Sequence, residues 1–258
     1  MAAGVFNMEI SSATAEGRRS AQEDRFLIHE TDAGALLVVA DGVNGSKTAA
    51  KVIEHLPELF NQHYMHHGGH DATFKHIFEE LNRLTEEETS GAAVSFAWVT
   101  RDFRLAIVGV LGDCPVRIFG KEKSSTLWSS PTHDVNFNAK ELSAAVGRGA
   151  VSLGGCITTD RKSGTAIQLS RMLGYRDLAP ILNRKPEVMK VPLKIRATIL
   201  LATDGLKLTD DEIFSCLSQG YSAQQILEAS LAKDDSDNTT VIVCRALPYH
   251  PHATVKKI

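Results

Sequence analysis

Two stretches of the sequence share one pattern and decide the fold: Leu36-Leu-Val-Val-Ala-Asp-Gly-Val43 and Ile199-Leu-Leu-Ala-Thr-Asp-Gly-Leu206. In each, a run of apolar residues leads directly into an Asp-Gly pair. A run that is apolar at every position is typical of a strand buried on both faces. Asp-Gly is also a common turn dipeptide, so a single instance would indicate only a turn. Two instances after matched strands predict carboxylates at the rim of a buried core, beside glycines that allow a ligand to approach closely.

Around these stretches, the apolar pattern predicts strands in groups and helices in pairs. The strands form meanders rather than an alternation of single strands with single helices. We therefore predict an α+β fold, a four-layer α/β/β/α sandwich of two mostly antiparallel sheets flanked by helix pairs. Strands are predicted at residues 8–15, 26–30, 35–40, 92–100, 105–111, 116–119, 165–170, 195–202 and 239–247, and helices at 46–60, 71–88, 139–146 and after capping boxes that begin at Thr209 and Ser222.

The composition is that of an ordinary globular protein and excludes several classes of function. The 258 residues are 43% apolar and 23% charged, with a formal net charge of −3. The longest apolar runs are far shorter than the ~20 residues that cross a bilayer. Residues 1–10 lack the basic segment and the apolar core of a secretory signal. A net negative charge gives no electrostatic case for nucleic acid, so we expect neither a membrane nor a nucleic-acid partner.

Acidic residues stand at the ends of the predicted strands. Asp41 and Asp204 belong to the two Asp-Gly pairs. Asp113 follows the strand at 105–111, and Asp237 precedes the last strand. Carboxylates that converge in this way repel each other unless cations lie between them. Hard divalent ions that prefer oxygen ligands, Mg²⁺ or Mn²⁺, are the natural partners of such a cluster.

A charged segment, residues 16–25, lies between the first two predicted strands. It contains Arg18, Arg19 and the adjacent carboxylates Glu23 and Asp24. An arginine beside a pair of metal ions can hold a phosphate group through paired hydrogen bonds. Taken alone, the segment would more often be a solvated charged loop.

Other phosphatase chemistries lack residues that they require. Aspartyl-phosphate hydrolases need a second Asp two positions before the Asp-Gly pair, where this sequence has Val39 and Ala202. Cysteine phosphatases need an Arg six positions after the reactive Cys, and no cysteine here has one. The cysteines form no C-x-x-C pair, which suits a reducing compartment and argues against a zinc cage. The four cysteines are Cys114, Cys156, Cys216 and Cys244.

Taken together, these motifs resemble the metal-dependent protein phosphatase family (PPM, type 2C). The matches occur in the family's order along nearly the whole chain. The resemblance implies a β-sandwich flanked by helix pairs, which agrees with the prediction made from the pattern, and a single domain over residues 1–258 with a flap-like insertion at about 131–192. The matches are Arg19 five positions before Asp24, Asp41-Gly42, Ser90-Gly91, Gly112-Asp113, Leu169-Ser-Arg-Met-Leu-Gly174, Thr203-Asp-Gly205 and Asp237-Asn238.

The resemblance also implies a mechanism and a role for each matching residue. Two divalent ions, Mn²⁺ or Mg²⁺, would lie about 3.5–4 Å apart and activate a water that attacks phosphorus in line, without a phosphoenzyme. The implied metal ligands are Asp41, which bridges the ions, the carbonyl group of Gly42, Asp204, Asp237 and, for a weak third ion, Asp113. The implied catalytic residues are Arg19, which contacts phosphate and no metal ion, and Glu23 and Asp24, which orient metal-coordinated waters.

The sequence departs from the family at three places. Val43-Asn44 stands where a His often follows the Asp-Gly pair, so a histidine general acid is absent there. Cys114-Pro115 replaces Ser-Arg, and Tyr175 replaces an Asp. Because every implied metal carboxylate is present, we expect an active Mg²⁺- or Mn²⁺-dependent serine/threonine phosphatase acting on phosphoproteins, as a monomer in the cytoplasm or nucleus. A non-catalytic member of the family that binds a signalling partner remains the alternative.

Three minor features have more than one interpretation. Cys114 is either a redox-sensitive thiol or, as we favour, a buried structural one. Four histidines have the spacing of one helix face, but Gly68-Gly69 interrupts that helix and favours a solvated loop over a metal site. These histidines are His63, His66, His67 and His70. Basic residues of the flap are expected to meet acidic or phosphorylated substrates, and they are Arg148, Arg161 and Lys162.

Overall fold

The computed structural model describes residues 6–67, 71–121, 126–132, 134–138, 157–160, 165–169, 172–174, 186–194 and 196–248. The helices in these residues are α1 (Lys47–His67), α2 (Asp71–Thr85), α3 (Asp210–Ser218) and α4 (Ala223–Leu231). The strands are β1 (Phe6–Ala15), β2 (Arg25–Thr31), β3 (Gly34–Val43), β4 (Gly91–Thr100), β5 (Leu105–Leu111), β6 (Val116–Phe119), β7 (Thr126–Ser129), β8 (Asp134–Asn138), β9 (Ile157–Asp160), β10 (Thr165–Leu169), β11 (Leu173–Gly174), β12 (Glu187–Pro192), β13 (Thr198–Ala202) and β14 (Thr239–Pro248).

The strands of the described residues form two large sheets and one small one. The five-stranded sheet has the order β1-β14-β13-β6-β7. The six-stranded sheet has the order β12-β5-β4-β3-β2, and β11 also pairs with β4. The small sheet has the order β8-β10-β9. Every pair among these strands is antiparallel, in agreement with the prediction of mostly antiparallel sheets.

Alternate residues of β3 face different layers, because successive side chains of a strand point to opposite faces. Leu37 and Val39 pack between the two large sheets. Leu36 and Val38 pack against α1 and α2. All four side chains are fully or almost fully buried, which explains why this strand is apolar at every position.

Strand β13 has the same arrangement on the other side of the sandwich. Ile199 and Leu201 pack between the sheets, opposite β3. Leu200 and Ala202 face α3 and α4. The order of layers is therefore helices, sheet, sheet, helices, and the predicted four-layer sandwich is confirmed.

Large aromatic side chains fill the layer between the six-stranded sheet and its helices. The ring centroids of Phe60 and Trp98 are 4.7 Å apart, and those of Phe74 and Phe96 are 4.6 Å apart. Gly109 makes room for the ring of Phe96, since a Cβ at this position would lie 2.1 Å from it. Burial of each such side chain stabilises the fold by about 1.5–3 kcal/mol.

The helix bounds differ from the predictions in two places. Helix α1 continues to His67 instead of ending near residue 60, and α2 ends at Thr85 instead of residue 88. His63 therefore lies in a helix rather than a loop, and its Nε2 is 2.9 Å from Oε1 of Glu80. The side chains of His66 and His67 and the segment Gly68-Gly69-His70 lie outside the described residues. The capping boxes that begin α3 and α4 are confirmed.

Part of the range expected to be an insertion belongs to the main sandwich. Strand β12 pairs with β5 from Glu187↔Val110 to Pro192↔Leu105. The small sheet occupies the middle of the range. The helix predicted at 139–146 lies outside the described residues, as do Arg148, Arg161, Lys162 and Tyr175.

None of the helices in the described part of the chain is both long and apolar enough to span a lipid bilayer.

Candidate metal centre

One end of the sandwich brings together the strand ends that carry the acidic motifs of the sequence. In the six-stranded sheet, the end of β3 pairs with the start of β4, with Asp41 opposite Ala93. In the five-stranded sheet, the end of β13 pairs with the start of β14, with Ala202 opposite Val241. Strand β5 continues through residues 112–115 into β6. Because this connection joins the two sheets, both deliver their acidic residues to the same end.

Asp41 lies among the carboxylates of this end. One of its carboxylate oxygens lies within 4.8 Å of a carboxylate oxygen of Asp113 and of Sγ of Cys114, and Asp204 is close enough for its charge to raise the pKa of Asp41. Removal from water raises the pKa of Asp41 well above its usual range, and the charges of Asp204, Asp24 and Asp113 raise it further. Neighbouring carboxylates that resist ionisation together are a fitting site for a divalent cation.

Two glycines allow the backbone segments of the centre to approach each other. A Cβ at Gly42 would lie 2.6 Å from the carbonyl oxygen of Glu23, so this glycine lets the Glu23-Asp24 segment pack beside Asp41. A Cβ at Gly205 would lie 1.9 Å from the carbonyl oxygen of Asn238. The glycine of each Asp-Gly pair is therefore required by packing, and a turn alone does not explain it.

Asp24 is buried, with 3% of its surface exposed. Its Oδ2 accepts a hydrogen bond of 2.8 Å from Oγ1 of Thr203, which in turn accepts one of 2.9 Å from the backbone N–H of Thr240. Its Oδ1 has no hydrogen-bond partner in the described part of the chain. Burial raises the pKa of Asp24 to about 6, although the bond from Thr203 opposes this shift. An unsatisfied, buried acceptor beside other carboxylates fits a cation or a water held by one.

Arg19 forms a bidentate ion pair with Asp237. The Nε and Nη2 atoms of Arg19 each lie 2.9 Å from a different carboxylate oxygen of Asp237. The hydrogen bond to Asp237 raises the pKa of Arg19 above its usual value. The arginine expected to contact only phosphate therefore also contacts one of the implied metal ligands.

Arg18 lies in a turn that follows β1. Strand β1 ends at Ala15, and Gly17 adopts a left-handed conformation with φ +63°. The backbone N–H of Arg18 donates to the carbonyl of Asp235, and its Nε lies 2.6 Å from Oδ1 of the same residue. Arg18 is therefore held by a different acid from the one that holds Arg19.

Asn238 has a positioning role that the sequence did not predict. Its Nδ2 donates to the carbonyl oxygens of Glu16 at 2.8 Å and Ala21 at 3.0 Å, while its Oδ1 accepts from the N–H of Glu23 at 2.9 Å. An amide is one of the few side chains that can donate and accept hydrogen bonds at once. The sequence signal for this role was therefore the position of Asn238, directly after Asp237 and directly before a predicted strand. Asn238 holds the loop that carries Arg19.

The structure thus brings together most residues predicted for the site. Asp41, Asp204, Asp113 and Asp24 are near enough for their charges to perturb one another. Asp237 joins them through its pair with Arg19 and its charge on Asp24. Glu23 packs on Gly42 through its backbone. Two further contacts support the cluster without having been predicted: the hydroxyl of Thr203 on Asp24 and Nζ of Lys207, which donates to the carbonyl of Asp204 at 2.8 Å.

A four-layer sandwich with a carboxylate cluster and an exposed arginine at one end is the architecture of the metal-dependent protein phosphatases. The chain belongs to the protein phosphatase 2C family, whose model matches residues 6–239. A curated relative from Arabidopsis thaliana, described as "Probable protein phosphatase 2C 11", is 22% identical over 261 residues, which cover 94% of this chain and 68% of the relative. The family resemblance seen in the sequence is confirmed.

Solved structures show the same fold. A sex determining protein of C. elegans superposes with a TM-score of 0.74 at 21% identity, covering 94% of this chain but 65% of that protein. Serine-threonine phosphatase 2C from Toxoplasma gondii gives a TM-score of 0.68 at 20% identity, covering 94% and 95%. The catalytic domain of the serine threonine protein phosphatase PstP, in complex with two manganese ions, gives 0.65 at 18% identity, covering 94% and 99%.

Proposed function

We propose that this protein hydrolyses phosphoserine and phosphothreonine esters in proteins by direct attack of water, with two Mn²⁺ or Mg²⁺ ions and no phosphoenzyme. The observation that carries the proposal is the cluster in which carboxylate oxygens of Asp41 and Asp113 lie within 4.8 Å of each other, with Asp204 near enough to raise the pKa of Asp41 and with Arg19 exposed beside Asp237. Membership of the family and the manganese-bound PstP structure support it. Bound divalent ions would lower the pKa of a water and offset charge on the phosphoryl group.

The residues that would hold the ions all carry oxygen donors suited to hard cations. The raised pKa of Asp41 and the unsatisfied Oδ1 of Asp24 fit this assignment, since a cation would offset both costs. Glu23 and Asp24 would orient waters around the ions, with Thr203 fixing the Asp24 carboxylate. The proposed ligands are Asp41, the carbonyl group of Gly42, Asp204, Asp237 and, for a weaker third ion, Asp113.

Arg19 would bind the phosphate group of the substrate. Its side chain is 58% exposed, although two of its donor atoms face Asp237. A guanidinium has five N–H groups, so donors remain for phosphate oxygens even while the pair with Asp237 is kept. The arginine would stabilise the charge that develops on the transferred phosphoryl group.

The thiol within the cluster does not offer an alternative nucleophile. Cys114 is fully buried, and burial together with the charge of Asp41 raises the pKa of its thiol well above the usual value. A protonated thiol is a poor nucleophile. This supports attack by water rather than through a cysteinyl phosphate.

The test is hydrolysis of a panel of phosphoserine and phosphothreonine peptides with Mn²⁺, with Mg²⁺ and with EDTA. We expect turnover with either ion, none in EDTA, and loss of turnover in Asp41→Asn and Asp204→Asn. Asp235→Asn is the matched control, because Asp235 pairs with Arg18 outside the cluster. Full activity in EDTA would contradict the proposal, and metal binding without turnover would support the non-catalytic alternative.

We further propose that the protein acts as a monomer in the cytoplasm or nucleus, as one domain that meets its phosphoprotein substrates through the region at about 131–192. Sedimentation of the purified chain tests whether it is a monomer. Limited proteolysis of that region, with and without a phosphopeptide, tests whether it meets the substrate.

A further inference from the structure

We propose that Cys114 supplies a thiolate ligand to a cation held with Asp41 and Asp113, so that the centre also binds thiophilic divalent ions such as Zn²⁺, Cd²⁺ and Co²⁺. Such ions would compete with Mn²⁺ and Mg²⁺. The inference rests on the metal centre of the proposed function and adds a sulfur donor to it. It assigns a role to the cysteine that lies among the implied metal carboxylates of this chain.

Two independent contacts place the sulfur atom in the centre. The Sγ of Cys114 and one carboxylate oxygen each of Asp41 and Asp113 all lie within 4.8 Å of one another. The same thiol donates a long hydrogen bond of 3.6 Å to the carbonyl oxygen of Ala93. Ala93 is the residue directly opposite Asp41 in the pairing of β3 with β4. The thiol is therefore fixed beside Asp41 from two directions.

The loop around Cys114 is held firmly, so the sulfur cannot easily turn away. Gly112 begins the loop in a left-handed conformation with φ +114°. The carbonyl of Pro115 accepts a hydrogen bond from the N–H of Ala202 at 3.2 Å. The N–H of Val116 donates to the hydroxyl of Ser130 at 3.0 Å. A donor atom that is already positioned loses little freedom when it binds an ion.

A buried carboxylate oxygen of Asp24 also indicates that the cluster is suited to a cation. The Oδ1 of Asp24 is buried and has no hydrogen-bond partner among the described residues. The thiol of Cys114 lies beside the carboxylates of Asp41 and Asp113, where a divalent ion would offset their charge.

The ligand set would change which ions the centre prefers. Two carboxylate oxygens select hard ions, whereas a thiolate favours Zn²⁺ and other thiophilic ions. Three protein donors with one open position are also typical of zinc sites that bind water. On binding, the S–H bond of Cys114 breaks, a sulfur–metal bond forms, and the proton passes to the buffer. No group is oxidised or reduced.

The test is titration of the metal-free protein with Co²⁺, followed by optical absorbance and calorimetry. Only a thiolate ligand gives a sulfur-to-cobalt charge-transfer band in the near ultraviolet. We expect the band in the wild type and in Cys244→Ala, and its loss in Cys114→Ser and Cys114→Ala. Cys244 is the matched control, because it is also fully buried but lies within β14. Affinity for Cd²⁺ should fall about ten-fold or more in Cys114→Ser, with affinity for Mn²⁺ little changed.

The possible results separate this inference from the proposed function. Binding of Co²⁺ to the wild type without the band would overturn the sulfur ligand and leave the carboxylate centre standing. A band that persists in both Cys114 variants would assign the thiolate to another cysteine and would also overturn it. Failure of the wild type to bind Co²⁺, Mn²⁺ or Mg²⁺ would remove both proposals. The presence or absence of the band in the wild type is measured without any variant, so poor folding of a mutant does not affect this result.

Discussion

At the scale of single residues, Arg19 and a metal ion would compete for the same carboxylate. Both oxygens of Asp237 accept hydrogen bonds from Arg19. An ion that binds Asp237 must therefore share these oxygens or displace the guanidinium group. The sequence alone predicted that metal binding would be indifferent to Arg19, and the ion pair changes that expectation.

Replacement of Arg19 should separate its two contacts. In Arg19→Ala, loss of a charge-assisted contact to phosphate should cost about 1.5–3 kcal/mol, or roughly ten- to a hundred-fold in kcat/KM. Affinity for Mn²⁺ should rise, because Asp237 loses a competing cation. Steady-state kinetics and calorimetric titration measure the two effects.

Arg18→Ala is the control for this change. Its pair with Asp235 is exposed, with 71% and 45% of the two side chains accessible, so its loss should cost less than about 1 kcal/mol. If Arg18→Ala were the damaging change instead, the assignment of Arg19 to phosphate would be wrong.

The buried carboxyl of Asp24 should make the stability of the metal-free protein depend on pH. Its pKa is raised to about 6 by burial, so the folded state holds the proton more tightly than the unfolded state does. The free energy of unfolding in EDTA should therefore increase as pH falls from above 6 to below 4, with about 3 kcal/mol from this group. Urea denaturation of Asp24→Asn should show a shallower pH dependence and higher stability at pH above 6. An equal slope in both proteins would show that Asp24 is ionised freely.

The site residues that could be predicted from the sequence are those that belong to a short, continuous motif. Asp41 and Asp204 could be identified because each follows a buried strand within one continuous stretch. The pair of Arg19 with Asp237 could not, because 218 positions separate the two residues. The same is true of Asn238, whose bonds to the loop at residues 16–23 depend on how two distant strands meet.

At the scale of elements, the turn before β14 is an anchor for the loop after β1. Asn238 makes its three contacts across separations of 215 to 222 residues. In Asn238→Asp, the acceptor for the N–H of Glu23 remains, but the two donated bonds are lost. We expect a loss of about 1–3 kcal/mol in the free energy of unfolding and a lower affinity for Mn²⁺. The control is Asn61→Asp, on the exposed surface of α1. It should change neither the free energy of unfolding, measured by urea titration, nor the affinity for Mn²⁺.

The close approach at Gly205 gives a second prediction for this element. A Cβ would lie 1.9 Å from a backbone oxygen, which cannot move without disturbing the start of β14. Gly205→Ala should therefore lower the free energy of unfolding by more than ~3 kcal/mol or prevent folding. Gly220→Ala is the control, because it has open space around it and only the cost of a left-handed φ of +80°, about 1 kcal/mol. Thermal denaturation of both variants tests the contrast, which a similar loss in each would contradict.

Helix α1 shows why element bounds are harder to predict than element types. The apolar spacing of the sequence weakens after Phe60. In the structure, Tyr64 stacks on Phe60 with centroids 5.1 Å apart and lies 5.1 Å from Trp98. Helix α1 continues two turns past Phe60, and the contact of Tyr64 with Trp98 exists only once β4 is in place. The capping boxes at Thr209 and Ser222 were predictable because all their atoms lie within four residues.

At the scale of the whole molecule, repulsion within the centre opposes the stability of the sandwich. Ions that bind only the folded state stabilise it by about 2.7 kcal/mol when present at a hundred times their dissociation constant. For a domain of this size, Mn²⁺ should therefore raise Tm by about 5–10 °C. Asp237→Asn should reduce this shift, whereas Asp235→Asn should keep it, as measured by scanning calorimetry. No shift in the wild type would count against the carboxylates as ligands.

The layer order of the molecule was predictable, but the order of strands was not. Strands that are apolar on both faces, such as β3 and β13, must be covered twice, which leads to two sheets between helices. Pairing of β1 with β14 could not be inferred from the sequence, because nothing local in either strand specifies a partner more than two hundred residues away. The register is fixed only when both sheets have packed.

The pairing of β1 with β14, from Phe6↔Pro248 to Ala15↔Thr239, has a consequence for biosynthesis. When β1 leaves the ribosome, its only neighbour in the described sheet has not yet been translated. Until β14 emerges, β1 and β13 expose unpaired backbone edges, which favour association with other chains. Asp237 and Asn238 arrive with β14, so the last strand closes the sheet and completes the carboxylate cluster in one step. A nascent chain therefore cannot assemble the centre before its fold is nearly complete.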